Sequence, residues 1–266
     1  MMKKPMVTTL FFLSSLLVLS GCGGSTSTTS VVKSIGNAVQ KNAELDNARF
    51  ETRYFMDSDA EPFDQSSEGA FVKNAESDYE WYQKTSFDET NTTEIAQIGG
   101  KQYQKISVPG QSETQWVEVS STGFALQELL RSLFENEIVE AEIAESQVEE
   151  TGGRKEYTLT MNDAYAERIK AKNVEVIQQN IDELKQNDEE ALVIEGIEAH
   201  LQEIEETDYQ DITITYEINE EGFLTAVHFE STVVPPAEEA YTMVSSFSLT
   251  EYNLDDTGDL LPQIAE

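Results

Sequence analysis

The chain has one cysteine, two histidines and only 17 lysines and arginines against 51 acidic residues, and each shortage removes a class of function. Cys22 has no second cysteine to pair with, which excludes an internal disulfide and any cysteine-type zinc centre. His200 sits on a predicted helix and His228 on a predicted strand, at a spacing that fits neither a metal motif nor a catalytic triad. Both read as ordinary surface or boundary histidines. No catalytic residue, metal ligand or cofactor site is therefore assigned. The lack of basic residues makes nucleic acid an unfavourable partner, because phosphate contacts need Lys and Arg. Acids are so numerous that close carboxylate pairs arise by chance. The runs Asp57–Asp64 and Asn253–Asp259 have a faint look of calcium loops, but the twelfth position counted from Asn253 is Ile264. An EF-hand needs Glu there, so the motif fails and the acids read as solvated loop residues. Long apolar runs are missing too. Val7 to Leu19 is the most apolar stretch and has 13 residues, well short of the ~20 that span a bilayer as a helix.

What is present starts with that run. Lys3 and Lys4 precede it, and Leu19-Ser20-Gly21-Cys22 follows it, the layout of an export signal. The tetrapeptide resembles the lipobox of bacterial lipoproteins. The resemblance implies that residues 1–21 are removed and that Cys22 becomes a lipidated first residue, on the outer face of the cytoplasmic membrane. Two acyl chains would hold it with on the order of 20 kcal/mol of buried methylene. Gly23 to Ser30 contains only Gly, Ser and Thr, so residues 22–30 read as a flexible tether with a reach of roughly 17 Å. The leader's apolar tail, SLLVLSG, is also similar to peptides that some Gram-positive bacteria release as mating pheromones.

A hydrophobic fraction of 39% is enough for a real core, so residues 31–266 read as one folded domain. Val31, Val32, Ile35, Val39, Ala43 and Leu45 form a helical stripe. The period then changes to two: Ala48, Phe50, Thr52, Tyr54 and Met56 alternate with Arg49, Glu51 and Arg53. Short strands are expected at Gly69–Asn74, Tyr79–Phe87, Thr93–Ile98, Gln102–Val108 and Gln115–Val119, with a hairpin at Gly99-Gly100. A helix is expected over Phe124–Asn136, then a strand pair around Gly152-Gly153. Asn162 or Asp163 can cap the next helix, which breaks near residues 187–190 and resumes through Ile194, Ile197, Leu201 and Ile204. Three closing strands carry Ile212, Ile214, Tyr216 and Ile218, then Phe223–Val234, then Tyr241, Met243, Ser245, Phe247 and Leu249 on one face. The fold class is α+β: an antiparallel meander with one wet face and inserted helices as cover for the other.

This order of elements, with the lipobox and the stretches ARFETRYF, GKQYQKISVPG, TQWVEV, ITITYEINEEGFLTAVHFE and LTEYNLDDTGDLLP, is similar to the lipoprotein-carrier fold of LolA and the mycobacterial LppX/LprG lipoproteins. It also resembles Gram-positive lipoproteins of unassigned function related to them. The resemblance implies a strongly curved antiparallel sheet, a half-open barrel, wrapped over helices. It also implies a cavity between sheet and helices that takes up a lipid or other apolar ligand, in a carrier or sensor that is not an enzyme. The strand aromatics Trp81, Tyr103 and Trp116 are the candidate lining, although periodicity alone does not separate cavity lining from core filling. The second reading is an interaction module whose acidic surface docks a cell-envelope partner.

Overall fold

The computed structural model describes residues 27–58, 62–75, 78–87, 91–107, 114–119, 138–186, 191–236 and 239–264. Cys22, the helix expected over Phe124–Asn136 and the break at 187–190 lie outside the described residues.

Helix α1 (Thr28–Asn42) starts three residues before the apolar stripe does, inside the stretch read as tether, because Ser27 caps it and accepts a hydrogen bond from the Ser30 amide. Eleven strands follow: β1 (Asn47–Asp57), β2 (Phe63–Lys73), β3 (Tyr79–Ser86), β4 (Thr92–Ile98), β5 (Lys101–Ser107), β6 (Thr114–Val119), β7 (Ile143–Thr151), β8 (Arg154–Met161), β9 (Asp208–Ile218), β10 (Leu224–Val234) and β11 (Tyr241–Tyr252). They form one open antiparallel sheet in the order β6-β5-β4-β3-β2-β1-β11-β10-β9-β8-β7. The first meander runs outward from β1 to β6, and the second runs inward from β7 to β11. The two meet where β11 pairs with β1. Register shifts in the β1–β11, β9–β10 and β7–β8 ladders bend the strands, and the sheet is curved rather than flat. Gly99-Gly100 and Gly152-Gly153 take the positive φ values that tight hairpins need.

Between the adjacent strands β8 and β9 the chain leaves to make two helices, α2 (Asp163–Gln186) and α3 (Ala191–Glu206). Asn162 caps α2 by accepting from the Ala164 amide at 3.0 Å. The half-buried stripe Ile169, Val174, Ile177 and Leu184, with buried Ile181, belongs to α2, and Ile194, Ile197, Leu201 and Ile204 form the stripe of α3. Lys185 donates to Glu198 across the pair at 2.8 Å. No described helix is long and apolar enough to cross a membrane.

One face of the sheet, here the inner face, carries Ala48, Phe50, Thr52, Tyr54 and Met56 of β1 and everything paired with them. Against it α1 places Val31, Ile35, Ala38 and Val39, which join Tyr157, Leu159, Ile212, Ile214, Tyr216 and Leu224 in one buried cluster. A second cluster under β1–β3 and β11 contains Leu45, Ala48, Phe50, Phe71, Trp81, Phe223 and Phe247. Phe50 stacks on Phe247 with ring centroids 5.8 Å apart. Its ring lies over Gly69, where an added Cβ would come within 2.4 Å of both the Phe50 ring and the Tyr82 carbonyl. Asn42, 1% exposed, locks α1 to the start of β10: its amide donates to the Leu224 carbonyl and accepts from the Leu224 amide, each at 3.0 Å.

Candidate functional site on the inner face

Side chains alternate along each strand, and partners across a ladder share a face, so the register assigns every residue to a side. Moving along the inner face away from the buried clusters, the rows mix aromatic and thioether groups with small polar ones and their cover thins. Thr52 pairs with Phe247, Tyr54 with Ser245 and Gln65, and Met56 with Met243 and Phe63. On the next strand Phe229 pairs with Ser245, Ser231 with Met243, and Val233 with Tyr241 and Tyr209. Tyr54, Met56, Phe63, Phe229, Tyr241 and Met243 are all half-buried, whereas Phe50 and Phe247 in the preceding rows are 1% and 5% exposed. A patch of aromatic and thioether groups thus continues the core toward one end of the sheet.

Internal geometry gives the patch a definite shape. Tyr54 packs edge-on to Phe63 at 5.9 Å between centroids, and its hydroxyl donates to the Met243 sulfur at 3.2 Å. Burial, followed by the facing Tyr241 and Tyr209 phenols, raises the Tyr54 hydroxyl above its ordinary titration range. Ser231 lies beside Met243 and is 1% exposed, and its hydroxyl makes no hydrogen bond. It stands opposite the register shift at Asp211, whose φ of 50° belongs to the left-handed region. Apolar contacts with these rings and sulfurs, with tyrosine hydroxyls among them, are what this surface offers, while the Ser231 hydroxyl is buried beneath it.

The aromatics expected to line a cavity fall on different sides. Trp81 pairs with Phe71 and Gln97 on the inner face, where it is 3% exposed and donates from its indole nitrogen to Gln97 at 3.2 Å. Tyr103 pairs with Ala96 and Glu118, and Trp116 with Lys105, on the outer face. Each residue belongs to a strand as expected, but an odd number of pleat steps separates Trp81 from the other two. Met56, Tyr241 and Met243 are visible in the alternation of β1 and β11. What gathers them is pairing of residues such as Tyr54 and Met243, 189 positions apart, which alternation does not encode. Phe63 carries no such signal, because FDQSSE is polar on both faces.

The outer face is mixed, with aromatics at Tyr82, Tyr103 and Trp116 and a polar region over β1 to β3 and β11. Glu51, Arg53, Ser66, Glu68, Lys84, Ser86, Ser246 and Ser248 surround an open hollow of about 470 Å³. The two histidines lie apart from the patch: His200 on α3 approaches Glu203, and His228 on the outer side of β10 approaches Glu230 at 3.8 Å. Among the described residues no group of three or more His, Cys, Asp or Glu is placed to hold a metal.

With an open curved sheet, α1 across one side and a half-covered apolar patch beyond it, the molecule has the α+β architecture expected from its sequence. Comparison with solved structures finds likenesses in architecture at low sequence identity. LprF from Mycobacterium bovis aligns over 91% of this chain and 100% of its own, with 10% identity and a TM-score of 0.47. The Pseudomonas aeruginosa MucA/MucB complex aligns over 90% of this chain and 62% of the matched chain, with 8% identity and a TM-score of 0.34. A DUF1329 family protein from Desulfovibrio piger aligns over 87% and 97%, with 10% identity and a TM-score of 0.28. No protein-family model and no curated protein matches the chain.

Proposed function

We propose that the protein is a membrane-anchored extracytoplasmic lipoprotein that binds a lipid-like or other apolar ligand on the inner face of its sheet, as a carrier or sensor without catalysis. The observation that supports this reading is the half-buried patch of Tyr54, Met56, Phe63, Phe229, Tyr241 and Met243 next to a fully buried core. Full burial of such a side chain from water is worth about 1.5–3 kcal/mol, and these are half-buried already, so a ligand that completes their cover gains the remaining part from apolar area. Methionines adapt to chains of different shape, and the tyrosines add a polar handle at the edge. Cys22 holds the domain at the membrane surface, within the short reach of its tether.

Native mass spectrometry of the full chain purified from lipid-containing bacterial cells tests the reading. The expected result is an adduct of lipid mass beyond the Cys22 modification, displaced by a fluorescent fatty acid and lost in a Met243→Glu variant. A bare polypeptide that also fails to take up the fatty acid overturns it. Cys22→Ala should release the protein from membranes while leaving ligand uptake unchanged.

A further inference from the structure

The outer hollow belongs to none of this, and its chemistry is specific. Two rows of side chains run across the strands. Ser248, Glu51, Glu68, Lys84, Glu94, Lys105 and Trp116 form one; Ser246, Arg53, Ser66 and Ser86 form the other. Within the hollow, the charges are two carboxylates, Glu51 and Glu68, and two cations, Arg53 and Lys84, with serine hydroxyls completing the lining. In a chain with 51 acids and 17 bases, a balanced site is a departure from the surface average. The cations are also already engaged: Lys84 reaches Glu68 at 3.2 Å, and Arg53 grips Asp64 at the edge of the hollow through two bonds of 2.9 and 2.8 Å. Counting Asp64, three carboxylates stand against two cations that are already engaged, so a free anion would find no open positive charge and a free cation only one carboxylate in excess. A neutral ligand rich in hydroxyls would meet donors and acceptors of both kinds.

Along the first row the hollow gives way to an aromatic platform. Tyr82 and Trp116 meet edge-on at 6.2 Å, and Tyr103 lies in the Tyr82 row. Lys105 fixes the platform, with its ammonium 2.8 Å from Glu94 and 5.9 Å from the Trp116 ring centre, while the Tyr82 hydroxyl donates to Glu94 at 3.0 Å. Three strand spacings of about 4.8 Å separate Lys84 from Trp116, so hollow and platform lie along one row of the same face, with the Glu94–Lys105 pair between them. An aromatic platform beside dense, nearly charge-balanced hydrogen-bonding groups matches a sugar chain, whose faces are apolar and whose edges are hydroxyls.

We propose that this outer face is a second binding site, for a neutral glycan laid across the strands from the serine-lined hollow to Trp116. The site is independent of the inner-face ligand. The test titrates the full chain in nanodiscs with chitotetraose, cellotetraose and maltotetraose, and with polyglycerol phosphate as an anionic comparison. At least one tetrasaccharide should bind saturably, with little dependence on salt. Ser66→Phe, which fills the hollow, and Trp116→Ala, which removes the platform, should each weaken binding by about tenfold or more. Glu51→Ala serves as the second hollow variant if thermal melting shows that Ser66→Phe is misfolded. Failure of all three sugars to bind, binding untouched by the folded variants, or preferential salt-sensitive binding of polyglycerol phosphate would each overturn the proposal. Fatty-acid uptake by the inner face should be unchanged in every variant.

Discussion

The two faces of the sheet share the same backbone and the same hydrogen bonds, yet they are chemically opposite. On β1, Phe50 is 1% exposed and its neighbour Glu51 is exposed; on β9, Ile212, Ile214, Tyr216 and Ile218 are buried, with Thr213 and Thr215 between them only half-buried. The inner face is held by area removed from water, and the outer face by paired charges and hydroxyls at the solvent boundary. Because the first effect is large and the second small, stability and surface recognition are assigned to different sides. The outer face can therefore vary its side chains with little cost to the fold.

The largest effect expected is on the inner side. Phe50→Ala should lower unfolding free energy by about 3–5 kcal/mol in urea denaturation, since it removes a buried ring that stacks on Phe247 and covers Gly69. A loss below about 1 kcal/mol would erase the contrast between faces. An intermediate effect comes from the tyrosines. Burial is the leading cause that raises the hydroxyls of Tyr54, Tyr165 and Tyr216, and also Tyr82, where the Glu94 hydrogen bond adds to it. In the unfolded chain these groups ionise near 10.0, so the stability they provide is fully present below that pH and is lost as pH rises through their higher folded values. Phenolate absorbance should thus lag behind that of a denatured control and appear together with alkaline unfolding. Tyr82→Phe should remove only the outer-face share. The smallest effect is at the surface: Lys84→Met breaks the pair with Glu68 and should cost less than about 1 kcal/mol, shrinking further at high salt.

Much of this arrangement is legible in the residues alone. Alternation in β9 and β11 identifies their inner residues one by one, the glycine pairs locate hairpins, and Asn162 or Asp163 stands out as a helix cap. Two things are not legible. The first half of β2, Phe63–Glu68, has no apolar period and is a strand because β1 pairs with it throughout and β3 joins from Ser66 onward. The faces of Tyr103 and Trp116 relative to Trp81 follow from the β3–β6 ladders. Each of these strands alternates correctly on its own, and only the cross-strand register relates one phase to the next.

By itself, then, the sequence determined the local periods, the acidic charge, the scarcity of cysteine and histidine, and the single cysteine read as a lipid attachment point. Tertiary structure decided which apolar sides meet. It paired β1 with β11 across nearly the whole domain, laid α1 over one half of the inner face, and left an aromatic and methionine patch half covered beside it. The physical reason is that a period-two pattern fixes a residue's side only relative to its own strand. Whether that side becomes core, binding surface or solvent boundary depends on pairings and cover contributed by residues far away in the chain.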